Sequence, residues 1–408
     1  MNFEIPLQVK FVIETLEQNG HEAFIVGGCV RDLVMSKIPN DYDVTTNSLP
    51  QRVIEIFGNC DCKVIETGLK HGTVTVIKDS MHIEVTTYRV DGDYLDNRHP
   101  QSVEFTSNIK EDLKRRDFTM NAIAYSDKEG IVDYFGGCTD IANKTIKCVG
   151  EPDKRFNEDA LRMLRAIRFA SVLGFEIEKN TLKSIRTNKN LIKNVSHERI
   201  NTEFSKFLCG EYINKIAPEV FDVICTIIPE VECKDYHKAD SVIEHLYQYS
   251  QKIKKVFLNV KKAPNKLETK LVAFFEGFNL PCDTAKSVMK NLRYSNKQIV
   301  KVCAMLNLCY DMPESDIAKI KTAMKNYGQD AVLDLLEYKD IGKYHIAQEV
   351  IEKGECYCIS MLAIDGNDLI ELGVKQGKEI QNKLNFLLEK VIENPNLNEK
   401  QKLIDLIK

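Results

Sequence analysis

The stretch FIVGGCVRDLVMSKIPNDYDVTT, residues 24–46, restricts what this chain can fold into more than any other. Its first three residues read as a short apolar strand and Gly27 and Gly28 as a tight turn. Arg31 and Asp32 fall on a helical turn, and Asp41 to Thr45 form a second strand entered through Pro39. Successive side chains of a strand point to opposite faces, so Asp41 and Asp43 share one face. Two such charges about 4 Å apart repel by roughly 4 kcal/mol at an effective dielectric near 20, so the pair calls for a cation. Mg²⁺ meets that need, because it takes hard oxygen ligands and completes its shell with water and phosphate. Gly27 and Gly28, lacking Cβ atoms, let backbone N–H groups approach an anion, and Arg31 adds a planar cationic fork. The pattern predicts a metal–triphosphate site.

At 408 residues the chain exceeds one hydrophobic core and should divide into two to four modules. A charged fraction of 28% and a hydrophobic fraction of 43% are those of an ordinary soluble protein, and no apolar run reaches the roughly 20 residues that span a bilayer. The first 20 residues form a charged amphipathic pattern without a signal-peptide layout, so the expected location is cytoplasmic, away from membranes. The thirteen cysteines are scattered, and neither Cys60/Cys62 nor Cys356/Cys358 has zinc-site spacing; reduced thiols are expected. The net charge of −4 does not advertise nucleic-acid binding, but residues 251–270 hold seven Lys against one Glu. That run reads equally as a solvated helix face and as an RNA-backbone contact.

Residues 50–57 read as a helix, followed by strands at 63–66, 73–77 and 82–88. In the last, Ile83, Val85 and Thr87 alternate with His82, Glu84 and Thr86, which places Glu84 on the polar face. Residues 90–107 are polar, turn-rich and long, either a functional loop or an insertion. Residues 155–170, RFNEDALRMLRAIRFA, have helical periodicity throughout: Leu161, Leu164 and Ile167 form an apolar stripe, and Arg162, Arg165 and Arg168 a parallel stripe about 100° away. An i,i+4 pair of Glu158 with Arg162 accounts for part of this pattern without invoking a ligand.

Gly27-Gly28-x-Val30-Arg31-Asp32 followed by Pro39-x-Asp41-x-Asp43 resembles the nucleotidyltransferase signature of class II tRNA nucleotidyltransferases (CCA-adding enzymes) and bacterial poly(A) polymerases. The resemblance implies an α/β head with a polymerase-β-like nucleotidyltransferase sheet followed by all-α neck, body and tail, at 1–145, 146–235, 236–335 and 336–408. It implies Mg²⁺ on Asp41 and Asp43, with Glu84 as the third carboxylate of the catalytic set. KRRDFTMNAIAY, residues 114–125, resembles the family's second motif and puts Arg116 on the nucleotide and Asp117 near the ribose. The Glu158-Asp159-x-x-Arg162 segment resembles the motif in which Asp159 and Arg162 act as an amino-acid template for the base, with Arg165 and Arg168 as further nucleotide contacts. A carboxylate accepting from the exocyclic amine shared by cytosine and adenine, beside a donating arginine, suits that task. Glu198, Arg199 and Glu203 resemble the brace of this helix.

The resemblance also implies a flexible loop at 90–107 for the switch from C to A addition, and a tail that holds tRNA. The 236–245 region resembles the opening of a metal-phosphohydrolase domain, but no His-Asp pair occurs at 271–279, so that activity is not expected. The implied partners are the tRNA 3′ end, ATP and CTP, with monomer and homodimer both open. Partial A-only or CC-only addition, poly(A) synthesis and a catalytically silent tRNA-binding module are the alternatives.

Overall fold

The computed structural model describes residues 3–60, 62–92, 102–232 and 242–407 and divides the chain into two compact units, Met1–Glu232 and Cys233–Lys408. The first begins with α1 (Leu7–Gln18), β1 (Ala23–Val26), α2 (Gly28–Val34), β2 (Asp43–Thr46), α3 (Pro50–Gly58), β3 (Lys63–Gly68), β4 (Thr73–Lys78) and β5 (Met81–Thr87). The hairpin β6 (Arg89–Asp91) and β7 (Val103–Phe105) is followed by α4 (Ile109–Lys114), β8 (Ile123–Ser126), β9 (Gly130–Asp133), α5 (Gly137–Ala142) and β10 (Thr145–Ile146). Then come α6 (Pro152–Glu158), α7 (Leu161–Leu173), β11 (Glu176–Ile177), α8 (Lys179–Asn188), α9 (His197–Leu208), α10 (Ile213–Ile216) and α11 (Phe221–Ile227).

Seven strands form one mixed sheet in the order β3-β4-β5-β2-β1-β8-β9. β2 runs parallel to β5 and antiparallel to β1 at the centre of the sheet; it opens on Asp43, two residues later than the expected strand, so Asp41 stands just before it. The alternation seen in the sequence is the alternation of burial: Ile83, Val85 and Thr87 are buried while His82 and Glu84 are exposed. In the same way Tyr42 and Val44 point into the core and Asp41 and Asp43 away from it. Phe24, Val26, Tyr88, Leu113, Ala122 and Ala124 form one core cluster that ties the central strands to α4.

One expectation fails. Residues 155–170 are not a single helix but α6 and α7, separated at Asp159, whose backbone is extended (φ −142°, ψ 104°). Asp159 accepts the N–H of Leu161, the first residue of α7, through Oδ1 at 3.1 Å. A short carboxylate competes with the helix for backbone N–H groups, so the helix stops although the sequence spacing does not.

The second unit is helical: α12 (Val242–Lys262), α13 (Leu267–Gly277), α14 (Cys282–Asn291), α15 (Asn296–Tyr310), α16 (Ile317–Tyr327), α17 (Gln329–Lys339), α18 (Ile341–Glu352), α19 (Gly366–Glu371), α20 (Lys378–Glu393) and α21 (Lys400–Asp405). The segment where a His-Asp pair would stand is core of α13, with Leu271, Phe274 and Phe275 fully buried. Of the seven lysines at 251–270, two serve the fold. Lys270 is buried and its Nζ donates to the Val260 carbonyl at 2.7 Å, closing the end of α12, and Lys266 bridges Asp334 and Glu337, both at 2.7 Å. Lys254, Lys255, Lys261 and Lys262 stay exposed. Residues 93–101 of the expected loop, His237 and the Glu244 and His245 side chains lie outside what is described. Among the described residues the cysteines are free thiols, and no helix is long and apolar enough to cross a membrane.

Candidate active site

Asp43 is the residue on which the head's charges converge. It stands opposite Val26 on one side and opposite Glu84 on the other, where β2 and β5 run parallel, so Asp43 and Glu84 share a sheet face. Lost solvation raises the Asp43 carboxyl to about 6; Arg116 opposes that rise, and Glu84 and Asp41 add to it. The sheet therefore gathers Asp41, Asp43 and Glu84 with Arg116 close by, and the acids outnumber the neighbouring guanidinium. These are hard oxygen donors held near one another with an uncompensated negative charge, which fits a divalent cation. Among the described residues no three acidic, histidine or thiol side chains make a ready metal cage, so Asp41 and Asp43 fit a cation that takes its remaining ligands from water or substrate.

The two glycines differ. Gly27 has φ +83° and ψ −128°, a conformation natural only to glycine, and a Cβ there would lie 2.9 Å from Nη1 of Arg116. Its bareness makes room for that guanidinium. Gly28 opens α2 in ordinary helical geometry, and a Cβ there would meet nothing closer than Nη2 of Arg31 at 3.8 Å. Arg116 lies 3.5 Å from the buried Asp112, and its Nε is buried with no hydrogen-bond partner among the described residues. An orphan donor of this kind costs about 1–3 kcal/mol until an acceptor reaches it.

Arg31 is held more firmly than a free phosphate fork. Its Nε and Nη2 donate to Asp32 Oδ1 at 2.9 and 2.8 Å, and its Nη1 donates to Asn121 Oδ1 at 3.0 Å. Asp117 is buried, and its oxygens accept from the Phe118 N–H (2.8 Å), Asn121 Nδ2 (3.0 Å) and Arg165 Nε (2.7 Å). Although burial opposes ionisation, the Arg165 guanidinium and the Asn121 hydrogen bond hold its carboxyl down at about 2. Asp117 thus joins the sheet domain to α7, where the sequence motif places it at the ribose.

The Asp159–Arg162 pair is also engaged. Arg199 clamps Asp159 with two donors, Nη1 to Oδ1 at 3.2 Å and Nη2 to Oδ2 at 2.8 Å. Arg162 is buried, donating through Nη1 to Glu158 at 2.7 Å and through Nη2 to the Arg115 carbonyl at 2.9 Å. The i,i+4 pair with Glu158 is real, and Arg162 does not stand on an open stripe. Arg165 and Arg168 meet Glu203, at 4.0 and 2.8 Å. Glu203 and Arg199 therefore brace the helix from α9.

Sequence reasoning overlooked Asp112 and Asn121. Asp112 accepts from Thr45 Oγ1 (3.3 Å), the Arg89 N–H (3.3 Å) and Arg115 (2.8 Å), linking β2, the hairpin stem and the arginine pair. Its position inside EDLKRRD is the one signal that could have marked it. Asn121 lies inside the second motif and bridges Arg31 to Asp117.

Comparison with known proteins agrees with this geometry. Residues 23–147 match a family profile described as the poly A polymerase head domain, and 263–407 one described as tRNA nucleotidyltransferase domain 2. The chain is 34% identical to a CCA-adding enzyme of Lactobacillus helveticus over 93% of its own length and 91% of the relative's. It is 36% identical to one from Lactobacillus delbrueckii subsp. bulgaricus, covering 95% and 94%. Among solved structures it superposes on the Bacillus stearothermophilus CCA-adding enzyme in complex with CTP with a TM-score of 0.80 and 28% identity, covering 98% of this chain and 95% of that one.

Proposed function

The chain belongs to the CCA-adding enzyme family, and from that premise we propose that it builds the CCA end of tRNA from CTP and ATP without a nucleic-acid template, releasing diphosphate. The observation that carries this reading is the convergence of Asp41, Asp43, Glu84 and Arg116 beside the Gly27 turn, in a chain matched along nearly its whole length to such enzymes. Asp41 and Asp43 would hold a divalent cation, Mg²⁺ by the character of their oxygens, which when bound supplies charge neutralisation at the triphosphate and acidifies a neighbouring hydroxyl.

The remaining work falls to the chain's own groups. Arg116, lodged against Gly27, binds and orients the nucleotide, and Gly28 leaves α2 bare where a phosphate approaches. Arg31, pinned by Asp32 and Asn121, contributes a fixed positive charge to the same region. Attack of the tRNA 3′ hydroxyl on the α-phosphate, in line with departing diphosphate, needs positioning and charge stabilisation and no covalent protein nucleophile. Asp159 and Arg162 read the base edge, exchanging the Arg199 and Glu158 contacts for those of cytosine or adenine. Arg165 and Arg168 flank them. Four modules, at 1–145, 146–235, 236–335 and 336–408, carry head, neck, body and tRNA-holding tail.

The test supplies Mg²⁺, CTP and ATP with tRNA transcripts ending before CCA, after C and after CC, and sequences the products. Addition that stops at CCA on all three supports the reading. Long A tails indicate a poly(A) polymerase, extension of the CC-ended transcript alone an A-adding enzyme, and binding without extension a silent module.

A further inference from the structure

Three arginines meet on one ring, two from its own helix and one from a distant part of the chain. The guanidinium carbons of Arg31, Arg165 and Arg168 lie 5.2, 5.5 and 3.7 Å from the centroid of Phe169. Phe169 itself is buried in α7 and stands edge-on to Phe118, the residue after Asp117, with centroids 5.9 Å apart and planes at 86°. Arg31 arrives on α2, from the phosphate side of the proposed site, and the other two from the base side.

Polar partners already surround this ring. Arg31 donates to Asp32 and Asn121, Asn121 donates to Asp117, Arg165 donates to Asp117, and Arg168 donates to Glu203. Three carboxylates balance three guanidinium groups, so charge neutrality alone does not call for an aromatic residue. Arg31 is held on two sides, by Asp32 and by Asn121, whereas Arg165 and Arg168 each donate through Nε, a grip on one edge that leaves the guanidinium plane free to tilt. The π system of Phe169 attracts these two cations and fixes their tilt against the same ring that Arg31 meets. A leucine would keep an apolar though smaller side chain here and supply none of that orientation.

We propose that Phe169 is a positioning residue for nucleotide binding, a shared floor that keeps Arg31 in register with Arg165 and Arg168. The inference rests on the nucleotidyl-transfer reading above. It is distinct from a packing role, because it depends on the electron density of the ring and not on its size.

Fluorination tests that difference, since it withdraws density from the ring face while nearly preserving shape. Phe169 is replaced in the full chain by mono-, tri- and pentafluorophenylalanine, and steady-state incorporation of CTP and ATP is measured beside thermal unfolding. The KM for both nucleotides should climb stepwise, reaching about tenfold with pentafluorophenylalanine, while kcat and the KM for tRNA stay within about twofold. Phe169→Leu should give the same KM rise and Phe169→Tyr should restore the wild-type value. A KM that is flat across the fluorinated series, or one that changes only in step with lost thermal stability, overturns the role of Phe169. An inactive wild-type protein overturns the nucleotidyl-transfer reading and this proposal with it.

Discussion

Gly27→Ala perturbs the backbone and the site at once, and its two costs can be worked out separately. The first is conformational: φ +83° with ψ −128° is a region that a residue with a Cβ enters at a cost of about 1–3 kcal/mol. The second is steric, since the new methyl would stand 2.9 Å from Nη1 of Arg116, a contact closer than carbon and nitrogen tolerate. The obstacle is the end of a flexible side chain, so the guanidinium moves and the fold survives. Arg116 then leaves its place beside Asp43 and Asp112. Losing one charge-assisted hydrogen bond to a bound nucleotide costs about 1.5–3 kcal/mol, a factor of roughly 10 to 100 in affinity.

Urea unfolding should therefore show a loss of about 1–3 kcal/mol, and single-nucleotide incorporation a 10- to 100-fold fall in kcat/KM for CTP and ATP alike, with tRNA binding unchanged. Gly28→Ala is the control. That site is helical and free of close neighbours, so alanine should stabilise the fold by about 0.4–1 kcal/mol. A raised nucleotide KM in this more stable protein would locate the triphosphate against Gly28. Normal nucleotide kinetics in Gly27→Ala would refute the account of Arg116, because the displacement is forced by geometry.

Asp43→Asn should abolish incorporation while leaving tRNA binding by filter assay within twofold; substantial turnover with Mg²⁺ would remove Asp43 from the catalytic set. Arg162→Ala should relax the choice of CTP and ATP over UTP and GTP by about tenfold and also lower stability, because Glu158 loses one of its two arginine partners. Lost stability with unchanged selectivity would leave Arg162 a structural ion pair. Asp117→Asn tests the link between sheet and helix by pH. The folded carboxyl is held at about 2 against an unfolded value near 3.9, so its ionisation contributes stability that is complete above pH 4 and lost as pH falls through 2. The difference in unfolding free energy between wild type and Asp117→Asn should shrink by about 2 kcal/mol from pH 5 to pH 2, and a constant difference would contradict the pairing with Arg165.

The sheet was legible because its signals are local. Alternation of burial along β5 and across residues 41–44 follows from the period of extended chain, so the common face of Asp41 and Asp43 and the exposure of Glu84 could be read from spacing alone. The break between α6 and α7 could not, because the spacing of residues 155–170 is helical throughout while the extended backbone at Asp159 ends the helix. Nor could the fate of Lys266 and Lys270, whose carboxylate and carbonyl partners are set by how α12, α13 and α17 pack.

What the sequence hides about the site is which partner each charge takes. Arg31 bonds Asn121 across 90 positions, Arg165 bonds Asp117 across 48, and Arg199 bonds Asp159 across 40. A motif marks each residue as chemically unusual but says nothing of these long-range pairings; spacing gives the Glu158 partner of Arg162 but not its bond to the Arg115 carbonyl. The pairings alter the chemistry expected of the site. A base-reading carboxylate and arginine that begin on protein partners must trade one set of hydrogen bonds for another, so the net gain from a correct base is a difference between two good sets. An incorrect base fails to match the set it replaces and leaves buried charges short of partners, which is the more costly outcome. Under the proposed base-reading role, selectivity would come as much from Arg199 and Glu158 holding their partners as from Asp159 and Arg162 seeking the base.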